Sequence, residues 1–246
     1  MAKQNINQTE ENLAQIEEAA GRTEKFVENN KKNMSYGVLA LFAIVLLFMG
    51  YQKYVSKPAE EAAYNTIWEA EQLFGNDQFE IALNGNNDVV GFLEVINEYG
   101  STSSGNLAQY YAGICYMNIA KNDTTSNANN SFEEAIDHLE SFDSDDINVK
   151  AMSIGAIGDC MMELGDKEGA AKKYIAAADY KENVLLTPMF LKKAGMTYSL
   201  LGNHEKALEL FTTVKTDYFK NLENDDIRAS DEIKKLIARE KQYLGK

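Results

Sequence analysis

The sequence predicts an all-α protein: a single transmembrane helix near the N-terminus, then a solenoid of about four stacked helical hairpins closed by a capping helix. Three observations carry this expectation. Helix breakers are scarce, with two prolines and sixteen glycines among 246 residues, and no segment sustains a β alternation. The 20 residues between Lys32 and Lys53 hold no charge. Blocks of matching small and large residues recur at an offset of 37, and a recurring unit of that size must stack on its neighbours to bury its faces.

Residues 1–33 are expected to form an acidic tail. Leu13, Ile16, Ala20 and Val27 recur at roughly helical spacing among glutamates, which reads as a weakly amphipathic helix over 9–27. The anchor follows at 34–54, where Met34 to Tyr51 are almost all apolar. As a helix that run is about 27 Å long, close to the hydrocarbon thickness of a bilayer. Tyr36, Tyr51 and Tyr54 mark its ends, where amphipathic rings prefer to sit. A cleaved signal peptide is a poor fit, because a long polar segment precedes the run and no A-x-A site follows it. Arg22, Lys25, Lys31 and Lys32 before the span outnumber Lys53 and Lys57 after it. That bias keeps the N-terminus in the cytoplasm and places residues 58–246 outside, in the periplasm of a bacterial cell with its anchor in the inner membrane.

Four helical hairpins are expected near 58–99, 105–142, 149–180 and 187–218, with a capping helix at 225–244. In the third and fourth, Gly158 matches Gly195, Gly165 matches Gly202, Ala170 matches Ala207 and Tyr174 matches Phe211. The second carries Gly113 and Cys115 where the third has Gly158 and Cys160, then Ala135 and Leu139. These are the places where the tetratricopeptide repeat (TPR) puts its small and large residues. Gly158 and Gly195 let helix A approach its mate; Gly165 and Gly202 end helix A in a left-handed cap. The first hairpin is degenerate, with helices expected over 58–74 and 89–99, and the second holds a polar loop over 121–131. Ile227, Ile233, Leu236, Ile237 and Tyr243 suit the last helix to covering an otherwise open edge.

Charge and motif content narrow the function. The net charge is −14, and from Pro58 onward 17 basic face 32 acidic residues. Such a surface repels phosphate, so nucleic acid is excluded and anionic headgroups are disfavoured. No nucleophile elbow, Walker A loop, HExxH or dinucleotide fingerprint occurs, so no enzyme activity, no cofactor, no metal and no small-molecule substrate is expected. His138 and His204 lie among charged residues and read as surface positions. Cys115 and Cys160 are expected to be buried as small hydrophobes, with a disulfide as the alternative.

In stacked TPR hairpins the A helices line a concave groove. Transferring the groove positions gives Tyr110, Ile114, Met117 and Asn118, then Met152, Asp159, Met162 and Glu163, then Met189, Lys192, Met196 and Leu200. Methionine is flexible and polarisable, so a methionine-lined groove can repack around varied apolar segments. Core filling is the competing role for these side chains.

The phrase RTEKFVENNKK before one span, followed by a TPR-like domain, resembles the YfgM-like ancillary subunits of the SecYEG translocon. The resemblance covers the whole chain in architecture. It implies association with the translocon and a PpiD-like membrane-anchored chaperone, with secreted proteins as clients. The alternative is a structural scaffold subunit of another cell-envelope or secretion assembly.

Overall fold

A computed structural model of the chain describes the backbone of residues 2–125, 127–219 and 227–246, and the side chains of 21, 22, 28–125, 127–219 and 231–246. It contains two bodies, Met1–Pro58 and Ala59–Lys246. Among the described residues there is no strand.

In the first body, the absence of proline lets helix α1 run over Ala2–Tyr51, followed by a π-helical turn at Gln52–Ser56. The side chains of the weakly amphipathic stretch, Gly21 and Arg22 apart, lie outside the described residues. The helix is long and apolar enough to cross a membrane, and none of its most apolar 18-residue window is buried. A core helix would bury at least one face.

The boundary between the bodies falls within α2 (Lys57–Gly75), whose Ala63, Ile67 and Ala70 fall on one face and are buried. The leading unit differs from the expected pair of helices. Part of the bridging segment forms a short helix, α3 (Phe79–Asn84), and the next helix, α4 (Phe92–Tyr99), starts three residues later than expected. The cause is a pinched loop: Gly85 has φ +74°, and a Cβ on Gly91 would lie 2.2 Å from the Gly85 nitrogen. Backbone contacts that close admit only glycine and hold residue 91 outside the helix. The Asn86 side chain fastens the loop by accepting from the Asp88 and Val89 amides.

Three hairpins follow: α5 (Ser103–Asn122) with α6 (Ala128–Ser141), α7 (Ile147–Glu163) with α8 (Lys167–Asp179), and α9 (Leu186–Leu200) with α10 (His204–Thr213). Local chemistry sets their starts. Thr102, Asp146, Asp166 and Asn203 each accept a backbone N–H from the first turn of the helix they precede, which satisfies donors that no helical carbonyl reaches. Gly165 and Gly202, at φ +84° and +76°, terminate α7 and α9. The polar loop of the second hairpin is shorter than expected, because helix continues through Asn122 and resumes at Ala128. A turn in which Asp123 Oδ1 accepts from the Thr125 amide closes it. A π-helical turn at Val214–Tyr218 ends the last hairpin, and α11 (Ile227–Tyr243) completes the chain. The first residues of the expected capping segment, 225 and 226, lie outside the described residues.

The hairpins close where glycine removes a side chain. A Cβ at Gly158 would come within 2.8 Å of the Tyr174 ring, at Gly195 within 2.6 Å of the Phe211 ring, and at Gly113 within 2.6 Å of Leu139. One position on helix A is therefore emptied so that one large side chain of helix B can fill it. Neighbouring units meet in the same way, since a Cβ on Gly155 would strike the Phe190 ring. The core accordingly runs as three clusters in succession: around Phe92 between α2 and α5, around Leu139 and Cys160 between α5 and α7, and around Phe211 from α7 to α11. Cys115 and Cys160 fall in different clusters, both free and fully buried, and burial pushes each thiol up to about 12.

A candidate protein-binding face on the A helices

The groove positions read from the repeat separate into three groups. Met152, Met189, Met196 and Leu200 present side chains to solvent, at 44%, 37%, 43% and 63% exposure. Met117 is only 8% exposed, and Tyr110 and Ile114 pack against the same cluster. Tyr110 lies 5.3 Å from the Phe142 ring, and burial raises its phenol above the usual range. Met162 is half-buried, its sulfur accepting from Thr197 Oγ1 at 3.7 Å. Asn118 turns back to donate to the Ile114 carbonyl, and Glu163 is exposed.

Asp159 and Lys192 are committed to neighbouring helices. Lys193 Nζ reaches the two carboxylate oxygens of Asp159 at 2.7 and 2.8 Å, and the Tyr174 hydroxyl donates to Oδ1 at 2.6 Å. Burial and the hydrogen bond to Asp159 raise the Tyr174 phenol far above its usual range, which keeps it a donor. Lys192 pairs with Glu232 of α11 at 3.0 Å. Two charges of this face, Asp159 and Lys192, are thus spent on joining helices, while Glu163 stays exposed beside the methionines and Leu200.

At the end of the face, α11 is held by a joint that the sequence reading missed. Glu240 is fully buried; its carboxylate accepts from Ser199 Oγ at 2.8 Å and from Arg239 Nε at 2.8 Å, and it lies 2.7 Å from His204 Nδ1. Tyr243 stacks on His204 at 4.3 Å. Beside them Met196, Ser199, Leu200, His204, Arg239 and Tyr243 line a cavity of about 230 Å³. Both histidines are half-buried and bonded instead of lying free on the surface. His138 Nδ1 is 2.6 Å from Gln109 Oε1, and its ring stacks on Tyr116. The available signal for Glu240 was its place in the stripe Ile233, Leu236, Ile237, where an apolar residue should recur.

These groups give the fold an acid sensitivity of definite sign. Burial lowers the His138 imidazole below its ordinary 6.5, so the unfolded chain takes up that proton more readily and stability falls as pH drops below about 6.5. Burial alone would raise Glu240, but hydrogen bonds from His204, Ser199 and Arg239 outweigh it and hold the carboxyl below its ordinary 4.5. Its contribution is complete above that range and disappears as pH falls through the lowered value. Thermal melting followed from pH 8 to pH 3 should decline in two stages. His138→Gln should flatten the upper stage and Glu240→Gln the lower.

Chemically the face can hold apolar side chains beside two ion pairs. Among the described residues, no group of three or more His, Cys, Asp or Glu is placed to hold a metal ion.

No family model matches the chain, and no curated protein matches it. Solved structures do. Two crystal structures from Podosopora anserina, described as a kinesin light chain with nearly identical TPR-like repeats, one of them a single-substitution variant, each align with a TM-score of 0.53. They share 16% and 15% identity, over 76% of this chain and 88% of theirs. A crystal structure of MamA protein gives 0.46 at 17% identity, with the same coverage. At such identities the first two establish the fold alone: this is an all-α, TPR-like chain.

Proposed function

We propose that this protein is a single-pass inner-membrane protein whose TPR-like domain stands in the periplasm and holds apolar segments of other proteins. It acts as an ancillary subunit of the SecYEG translocon, beside a PpiD-like chaperone, and receives secreted proteins as they emerge. The observation that carries the binding part is the row of exposed Met152, Met189, Met196 and Leu200 on α7 and α9, beside Asp159 and Lys192, which are paired with Lys193 and Glu232. An apolar ligand leaves those two ion pairs intact, and methionine adapts to whichever side chain arrives.

Anchoring rests on the uncovered helix at 34–51, which no protein surface shields, and orientation on the basic residues before it. A tether beside a channel raises the local concentration of a weak site, so low affinity suffices. The placement at the translocon rests on the resemblance of the tail and span entry.

Changing Met152, Met189 and Met196 together to Asp tests the reading. Binding of an unfolded secretory precursor to the detergent-solubilised full-length protein should drop at least tenfold, while helicity by circular dichroism stays unchanged. Undiminished binding would contradict it. Cross-links from Val38 within the span to translocon subunits would support the partner assignment. A single constant partner of another kind would mark the chain as a scaffold.

A further inference from the structure

We infer that the loop joining α8 to α9 is a second membrane contact, with Val184 and Leu185 dipping into the lipid interface; this rests on the anchoring proposed above. Val184 is 88% exposed and Leu185 73%. Val184 is the most exposed of the large hydrophobic side chains among the described residues, ahead even of those in the apolar span. Nothing in the domain covers either one.

Their position in the solenoid supplies the occupant. A chain of hydrogen bonds runs along one edge of the domain, where the A helices begin. Glu60, in the first turns of α2, accepts from the Ser103 amide at the start of α5 at 3.0 Å. Asn106 of α5 exchanges bonds with Asp143, in the turn before α7, at 2.6 and 3.0 Å. Asn183 donates to Asn148 at the start of α7 at 2.6 Å, and its Oδ1 accepts from the amides of Leu185 and Leu186. The loop carrying Val184 therefore shares an edge with the start of α2. That edge is also where the chain arrives from the apolar run, since Ala59 opens the domain a few residues beyond Tyr51.

A short tether keeps the edge that carries it close to the bilayer, and weak insertion of two apolar side chains is enough when the local lipid concentration is so high. Asp143, Asp145 and Asp146 lie on the same edge, so a zwitterionic interface fits and an anionic one opposes the contact.

The test uses the full-length protein in phosphatidylcholine nanodiscs containing lipid brominated at shallow acyl carbons. An environment-sensitive fluorophore is attached in turn at Val184→Cys, at Val38→Cys in the span, and at Lys167→Cys on the opposite edge. Cys115 and Cys160 stay unlabelled, being buried with thiols pushed up to about 12. Quenching at 38 and 184, several-fold above that at 167, is expected, with the signal at 184 falling when phosphatidylglycerol is added. Quenching at 38 with 184 no different from 167 overturns the second contact and leaves the anchor intact. A probe at 184 that shifts only when another protein is supplied also overturns it. Absence of quenching at 38 overturns the anchor, and the second contact with it.

Discussion

Phe211→Ala should lower the unfolding free energy of the 59–246 domain by about 3–5 kcal/mol, the largest loss expected from one side chain. Phe211 is fully buried and reaches across the last hairpin into the space left by Gly195. It belongs to the cluster that joins α7 through α11, so its removal loosens the hairpin and the capping helix together. The reverse error is also costly. Gly195→Ala places a methyl 2.6 Å from the Phe211 ring, and overpacking of this kind costs about 1–3 kcal/mol. Because the two residues share one space, Gly195→Ala combined with Phe211→Leu should lose less than the sum of the separate changes, and a urea-denaturation cycle measures the coupling.

Arginine at both Leu41 and Val45 should move the protein out of the membrane fraction. Each charge near the centre of a span costs about 2.5–3.5 kcal/mol of insertion free energy, and the exposed apolar helix has no internal partner to shelter it. A chain beginning at Ala59 should remain soluble without detergent and keep its helical spectrum, since all three core clusters lie beyond that residue. Sedimentation of membranes followed by alkaline extraction reads the first result, and circular dichroism the second.

Much of the architecture was legible because it depends on strong, repeated signals. An uncharged run of 20 residues and glycines recurring at an offset of 37 need no tertiary knowledge to interpret. The glycines also fix the direction of each A helix, and this explains why the groove positions separated. At about 100° per residue, a position four after the interface glycine lies only about 40° from the mate-facing direction. Met117 and Met162 stand there, after Gly113 and Gly158, and turn inward. Positions six before the glycine and one after it lie about 120° and 100° around, which is where Met152, Met189 and Met196 open to solvent. The repeat register alone weighted all of them alike.

What stayed hidden depends on backbone or long-range contacts. Gly85 and Gly91 pinch a loop only because their main chains touch, and no side-chain pattern announces that. Glu240 looks like one more charge in a charged helix until Ser199 and His204, on α9 and α10, close around it. The small side chain of Ser199, and the entry of His204 at the first turn of α10, are what leave room for a carboxylate.

Photo-cross-linking in living cells, from a reactive residue placed at Met152 or Met196 of the full-length protein, tests most directly whether this face holds other proteins. Adducts with several secreted proteins should form from both positions, and few from Lys172 on the outer helix α8. If the methionine face yields no adducts, or only those that Lys172 also gives, the domain does not work by holding apolar segments there.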